Sequence, residues 1–202
     1  MSLMSTAYEE TGRRDQKLRT RAELVASARR LIEQGGSPPT VADAANAASI
    51  SRTTAYRYFA SQRELLAAAH PEVERASMLP PGIGDDPEER LSAAVEAFVA
   101  MVRSSEAQQR TMLRLSLEAS TGPGQLPLRK GRAIGWFEEA LAPLIPDLGR
   151  DAVHRLALGV RSVVGIESLV WLVDVGGLTR EEAAALMHSS AMALLHEAGR
   201  SR

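Results

Sequence analysis

The sequence predicts an all-α protein built as a small N-terminal helical lobe and a larger C-terminal one, with about nine helices in total. Three observations carry this. Apolar residues recur at helical spacing in every long segment, and no segment alternates with the period of a strand. Helix-start residues stand ahead of those segments at Thr40, Ser51, Ser61, Asp86 and Thr179. The run "LPPGIGDDP", Leu79 to Pro87, is the clearest linker in the chain.

The elements follow in order. Leu24, Val25, Ala28, Leu31 and Ile32 share one helical face, and Gly35-Gly36 closes that helix. "TVAD" from Thr40 is a Thr-x-x-Asp capping pattern, and alanines follow it. Ser51 caps a short helix running through Phe59, and Ser61 caps a fourth helix that Pro71 breaks or kinks. Asp86-Pro87-Glu88-Glu89 supplies a cap, a first-turn proline and first-turn acids. Leu91, Val95, Phe98 and Val102 then form one stripe. A helix over 107–119 stops at "TGPGQLP", and Ile134, Phe137 and Leu141 mark the next. The stretch 151–175 is apolar nearly all round and reads as one buried central helix ending at Gly176-Gly177. Thr179-x-x-Glu182 caps the last helix.

Composition removes several function classes. The chain has 202 residues and no cysteine, so it holds no disulfide, thiol nucleophile or cysteine zinc site. Its four histidines form no metal-binding spacing, no Gly-rich loop follows a strand, and Ser116, Ser162 and Ser168 have no evident base. Neither an enzyme nor a cofactor or metal is expected. No signal peptide opens the chain, and the longest apolar stretch is interrupted by Glu167 and Asp174. These features predict a cytoplasmic protein with no membrane partner. Net charge is -1, but unevenly spread. Up to Leu66 there are ten Lys and Arg against seven Asp and Glu; the rest has fourteen against eighteen.

A basic front of short helices joined by tight turns fits a helix-turn-helix. The second helix is 40–47, the turn 48–50 and the recognition helix 51–59. The first turn of such a helix meets base edges. Arg52, Thr53 and Thr54 occupy it, with guanidinium and hydroxyl groups suited to guanine and thymine. Tyr56, Arg57 and Tyr58 offer donors to the phosphates beyond, and Phe59 reads as a core plug. Arg13, Arg14, Lys17, Arg19 and Arg21 precede the first helix in this reading, as an arm for the DNA backbone or an ordinary charged terminus.

The run "RAELVASARRLIEQGG…TVADAANAASISRTTAYRYFASQRELL" resembles the DNA-binding region of the tetracycline-repressor (TetR) family. Most of the likeness lies in Ser-x-x-Thr-x-Tyr-x-x-Phe followed by Ser-x-x-Glu-Leu-Leu. The resemblance implies a homodimeric bacterial transcriptional regulator, most often a repressor, released from a near-palindromic operator by a small-molecule effector. It also implies base contacts from Arg52, Thr53 and Thr54, and phosphate contacts from Thr40, Ser51, Tyr56, Arg57 and Tyr58. Two departures stand out: Gln62 replaces the usual lysine, leaving Arg63 as the nearby cation, and Ser49 replaces the usual turn glycine. They keep open a helical binding or scaffolding dimer with lapsed DNA binding. An effector-free architectural DNA-binding protein is the other alternative.

The division taken is 1–66 for the arm and DNA-binding domain and 67–202 for effector binding and dimerisation. Expected pocket residues are Phe98, Met101, Met112, Trp136, Arg161, Glu167 and Trp171. Glu167 lies among valines, so it needs a partner such as Arg114 or Arg132, or a cationic ligand group. Small residues on the last helix, Ala184 and Ala191 beside Met187 and Leu194, suit a dimer seam.

Overall fold

A computed structural model describes residues 3–35, 38–70, 75–118 and 131–200. They are helical or irregular, with no strand among them. They fall into two compact units, Met1–Val73 and Glu74–Arg202.

The first unit contains α1 (Leu3–Glu33), α2 (Val41–Ala47), α3 (Arg52–Tyr58) and α4 (Gln62–Ala69). Helix α1 is much longer than its apolar stripe. Leu24, Val25, Ala28 and Ile32 are buried, whereas residues 14–19 are exposed. The five basic residues expected in an arm ahead of this helix therefore lie within it. No proline or glycine cluster stops the helical run on that side. Gly35, at φ 82°, closes α1 in the left-handed conformation natural to a C-terminal glycine; Gly36 lies outside the described residues.

Each short helix begins at its expected cap. The Thr40 hydroxyl accepts the Asp43 N–H at 3.1 Å, and the Asp43 carboxylate accepts the Thr40 N–H at 2.8 Å. Ser51 accepts from the Thr54 N–H at 3.2 Å, and Ser61 from that of Glu64 at 3.2 Å. The core beneath is small: Leu24, Val25, Val41, Phe59 and Leu65 pack with Ala28, Ala44, Ala45, Ala55 and Ala69. Helix α4 packs on α1 along its length and stays with this unit beyond Leu66. Arg29 reinforces the pair by donating to the Ala69 carbonyl at 3.0 Å, at the C-terminal end of α4. The expected break at Pro71 lies outside the described residues.

The second unit contains α5 (Pro87–Ser104), α6 (Glu106–Glu118), α7 (Arg132–Ala140), α8 (Ile145–Leu148), α9 (Arg150–Val163), α10 (Ile166–Val170) and α11 (Arg180–Arg200). Its core joins the inward faces of α5, α7, α9 and α11. Phe98 meets Phe137 edge-on at 5.5 Å between centroids and Trp136 at 6.1 Å. Thr179 and Glu182 form the expected box ahead of α11.

The expected single helix over 151–175 is corrected. It breaks at Gly165, whose φ 144° and ψ -171° are open essentially to glycine alone. Beyond the break lie α10 and a π-helical turn, Trp171–Val175, that leaves Trp171 61% exposed. Taken together across the break, Arg150–Val175 has the length and apolar composition of a membrane span, contrary to the sequence expectation; a third of its most apolar window is buried inside the unit.

Candidate nucleic-acid interface

Helix α3 is anchored by two residues and otherwise faces solvent. Ala55 is fully buried, and Phe59, just past the helix, is 2% exposed with the Arg21 guanidinium 5.2 Å from its ring centre. Arg52, Thr53, Tyr56 and Arg57 are exposed, Tyr56 to 50%. Thr54 and Tyr58 are half-buried, and Tyr58 packs against the alanine-rich core. One side of a seven-residue helix therefore holds two guanidiniums, a threonine hydroxyl and a phenol in water, with no acid among them. This geometry follows from spacing: residues 55 and 59 are one turn apart and fix the inward face.

The turn before α3 works without glycine. Ser49 takes φ 55°, the one left-handed non-glycine among the described residues. The Ile50 N–H bonds to the Ala45 carbonyl at 2.9 Å, drawing the chain back over the end of α2. Alanines at 44, 45 and 55 let α2 and α3 approach closely.

Caps occupy some of the expected contact groups. The Ser51 hydroxyl donates to the Thr54 hydroxyl at 2.8 Å, so these two form one unit at the head of α3. The Thr40 hydroxyl donates to Asp43 at 2.7 Å. Hydrogen bonds from the side chain and backbone of Thr40 hold the Asp43 carboxyl below its ordinary value of 3.8, and the Arg52 charge adds to this. Arg63 is half-buried on the first turn of α4. Gln62 has a role the sequence did not reveal. Its amide nitrogen donates to the Pro38 carbonyl at 2.7 Å and the Pro39 carbonyl at 3.1 Å, tying the approach to α2 onto α4. The only signal was the proline pair itself, which offers carbonyls and no N–H.

Residues 24–69 match the profile described as bacterial regulatory proteins, tetR family. The first unit carries a TetR-family DNA-binding domain. With it the chain takes the role of a DNA-binding transcriptional regulator. The match spans about a quarter of the chain and all of α2, α3 and α4. No curated protein gives a match.

In the second unit, the expected pocket residues separate into two groups. Phe98, Met101 and Trp136 are core residues of the second unit, and Met112 is buried on α6. Trp136 donates its indole N–H to the Ala76 carbonyl at 3.1 Å. Arg161 and Glu167 pair at 3.0 Å across the break at Gly165. Arg161 is thus a partner of Glu167 that the sequence did not suggest, reached across the break at Gly165. Arg161 also donates to the Val164 carbonyl at 3.0 Å and lies 5.7 Å from the centre of the Phe98 ring. Glu167 and Trp171 line an open groove of about 400 Å³, with Ser162, Leu172, Leu186 and Ser190 among its walls.

The four seam residues also divide. Met187 and Ala191 point into the unit's own core, and Ala184 and Leu194 are half-buried beside it. The exposed apolar residues nearby are Leu158, Trp171, Val175 and Leu186.

A network missed by the sequence reading fixes α6. Arg110 grips Asp174 through both terminal nitrogens at 2.6 and 2.8 Å, and meets Glu106 at 2.8 Å. Arg180 bonds Glu106 at 2.6 Å. The Glu106 carboxyl is held below 4.5 first by Arg180 and then by Arg110. Asp174 is held below 3.8 first by Arg110, whose own value is pushed up chiefly by Asp174. The Glu106-x-x-x-Arg110 spacing was the available signal.

Proposed function

We propose that the chain is a ligand-responsive repressor that binds a near-palindromic operator as a homodimer. The observation that supports this best is helix α3: a rod pinned by Ala55 and Phe59, with Arg52, Thr53, Tyr56 and Arg57 held out. Arg52 and Thr53 stand where a recognition helix meets base edges, and Thr54, tied to Ser51, is their neighbour. Thr40, Ser51, Tyr56, Arg57, Tyr58 and Arg63 serve the phosphates in this reading. Ser49 and Gln62, the two departures from the family pattern, are both accommodated locally, which favours a working reading head over a lapsed one.

In the same reading the unit from 74 onward binds the effector and the second subunit. The exposed apolar side chains of Leu158, Trp171, Val175 and Leu186, of which Trp171 and Leu186 share one groove, favour self-association. The effector favours whichever conformation it binds more tightly, so the loss of DNA affinity cannot exceed that difference.

A gel shift against DNA flanking the protein's own gene tests the proposal. The wild type retards it at low salt, and Arg52→Ala relaxes preference at one base pair by about 1–3 kcal/mol. No retardation at low salt would sink the regulatory reading. Unchanged preference in the variant would remove Arg52 from the bases.

A further inference from the structure

Helix α6 turns an unusual face inward. Its buried positions are Gln108, Gln109, Met112 and Ser116, which share one side at helical spacing. The corresponding faces of α5, α7 and α9 are apolar throughout. The Ser116 hydroxyl is satisfied by the Leu113 carbonyl of its own helix at 2.7 Å. The backbone N–H of Gln109 is satisfied by Ser105 at 2.9 Å. Its side-chain donor is not: Gln109 is 4% exposed, and its fully buried Nε2 has no partner among the described residues.

A buried amide N–H without an acceptor is destabilising, and leucine or methionine would fill similar space without that cost. The helix is already gripped through Glu106 and Arg110, away from this face. A buried donor left without an acceptor in the free protein is suited to something that arrives later.

We infer that the buried face of α6 is a wall of the effector site, where Gln109 Nε2 donates a hydrogen bond to an oxygen of an uncharged, largely apolar molecule. This rests on the proposed reading of the second unit as the effector-binding part. The ligand class follows from the face itself. A donor selects an acceptor, so a ketone, ester, lactone or ether oxygen fits and an ammonium does not. Among the described residues this face carries no cation to neutralise a buried carboxylate. Met112, buried on the same face, offers apolar contact to the body of the ligand.

The full-length protein and Gln109→Leu are compared by thermal melting, alone and with acetophenone, menthone and coumarin. Each probe is paired with its parent hydrocarbon: ethylbenzene, menthane and naphthalene. Removing the orphan donor raises the Tm of the free protein by about 2–6 °C. In the wild type at least one carbonyl probe binds about tenfold tighter than its hydrocarbon, and the leucine variant loses that preference. A lower Tm for Gln109→Leu would mean the amide supports the fold and would overturn the inference. So would a wild type that favours no carbonyl probe, or a variant that keeps the preference. Operator binding, measured in parallel without probes, separates the two claims. Failure of the probes with DNA binding intact sinks this inference alone; failure to bind DNA sinks the proposed function.

Discussion

The two units bury different chemistry. Half of the first unit's core members are alanine, whereas the second unit is filled by Phe98, Phe137, Trp136 and a set of leucines, valines and methionines. Alanine contributes little area per residue. The small unit gains in close approach what it lacks in bulk, and its order leans on directional bonds: three serine or threonine caps, the Gln62 staple and Arg29 on the end of α4. The lesson is that a reading head must be stiff rather than heavy. A thin core with good caps holds α3 in place while leaving its outer side free.

Substitutions can break that contrast. The largest effect is expected from Phe98→Ala, which opens a cavity among aromatic rings and costs the second unit about 3–5 kcal/mol in urea unfolding. Both tryptophans lie in that unit and all three tyrosines in the first, so the two unfold under separate fluorescence signals. Only the tryptophan signal should move.

The reverse experiment adds bulk where the core has none to spare. Ala45→Leu forces α2 away from its neighbours and costs about 1–3 kcal/mol, read from the tyrosine signal. Cap and staple variants are milder. Ser51→Ala and Gln62→Ala should each lose about 1 kcal/mol in the first unit, with the tryptophan transition unchanged. If both were silent, the view that directional bonds order this unit would fail.

The smallest expected effect concerns acid. Glu106 and Asp174 are held below their ordinary values in the folded chain by Arg180 and Arg110. Their stabilisation is complete above the unfolded values near 4.5 and 3.8, and is lost as pH falls through those values toward the lower folded ones. Arg110→Ala should flatten the acid limb of the second unit's stability while leaving the first unit's limb alone. An unchanged limb would show that the network contributes nothing measurable.

Much of this was legible in the sequence because it is local. Caps at Thr40, Ser51, Ser61, Asp86 and Thr179 sit within four residues of the groups they satisfy, and the outward side of α3 follows from Ala55 and Phe59 alone. What stayed hidden depends on separation along the chain. Gln62 reaches carbonyls more than twenty residues away, and Arg110 reaches Asp174 across sixty-four. The break at Gly165 was also hidden, because a glycine inside an apolar run carries no sign of its own torsion angles. Gln109 was overlooked for a simpler reason: a polar residue on a helix is read as solvent-facing until its burial is seen.

Gly165 carries a consequence for handedness. A Cβ of natural chirality built there would lie 2.5 Å from the Arg161 guanidinium, the group that joins Glu167 to the Phe98 ring. The torsions at this residue mirror those of an ordinary extended chain. A D-alanine introduced by chemical ligation would therefore take the same backbone without strain, with its methyl leaving on the side opposite that guanidinium. Genetic variation offers no such residue, so the kink in this apolar rod has no natural substitute for glycine.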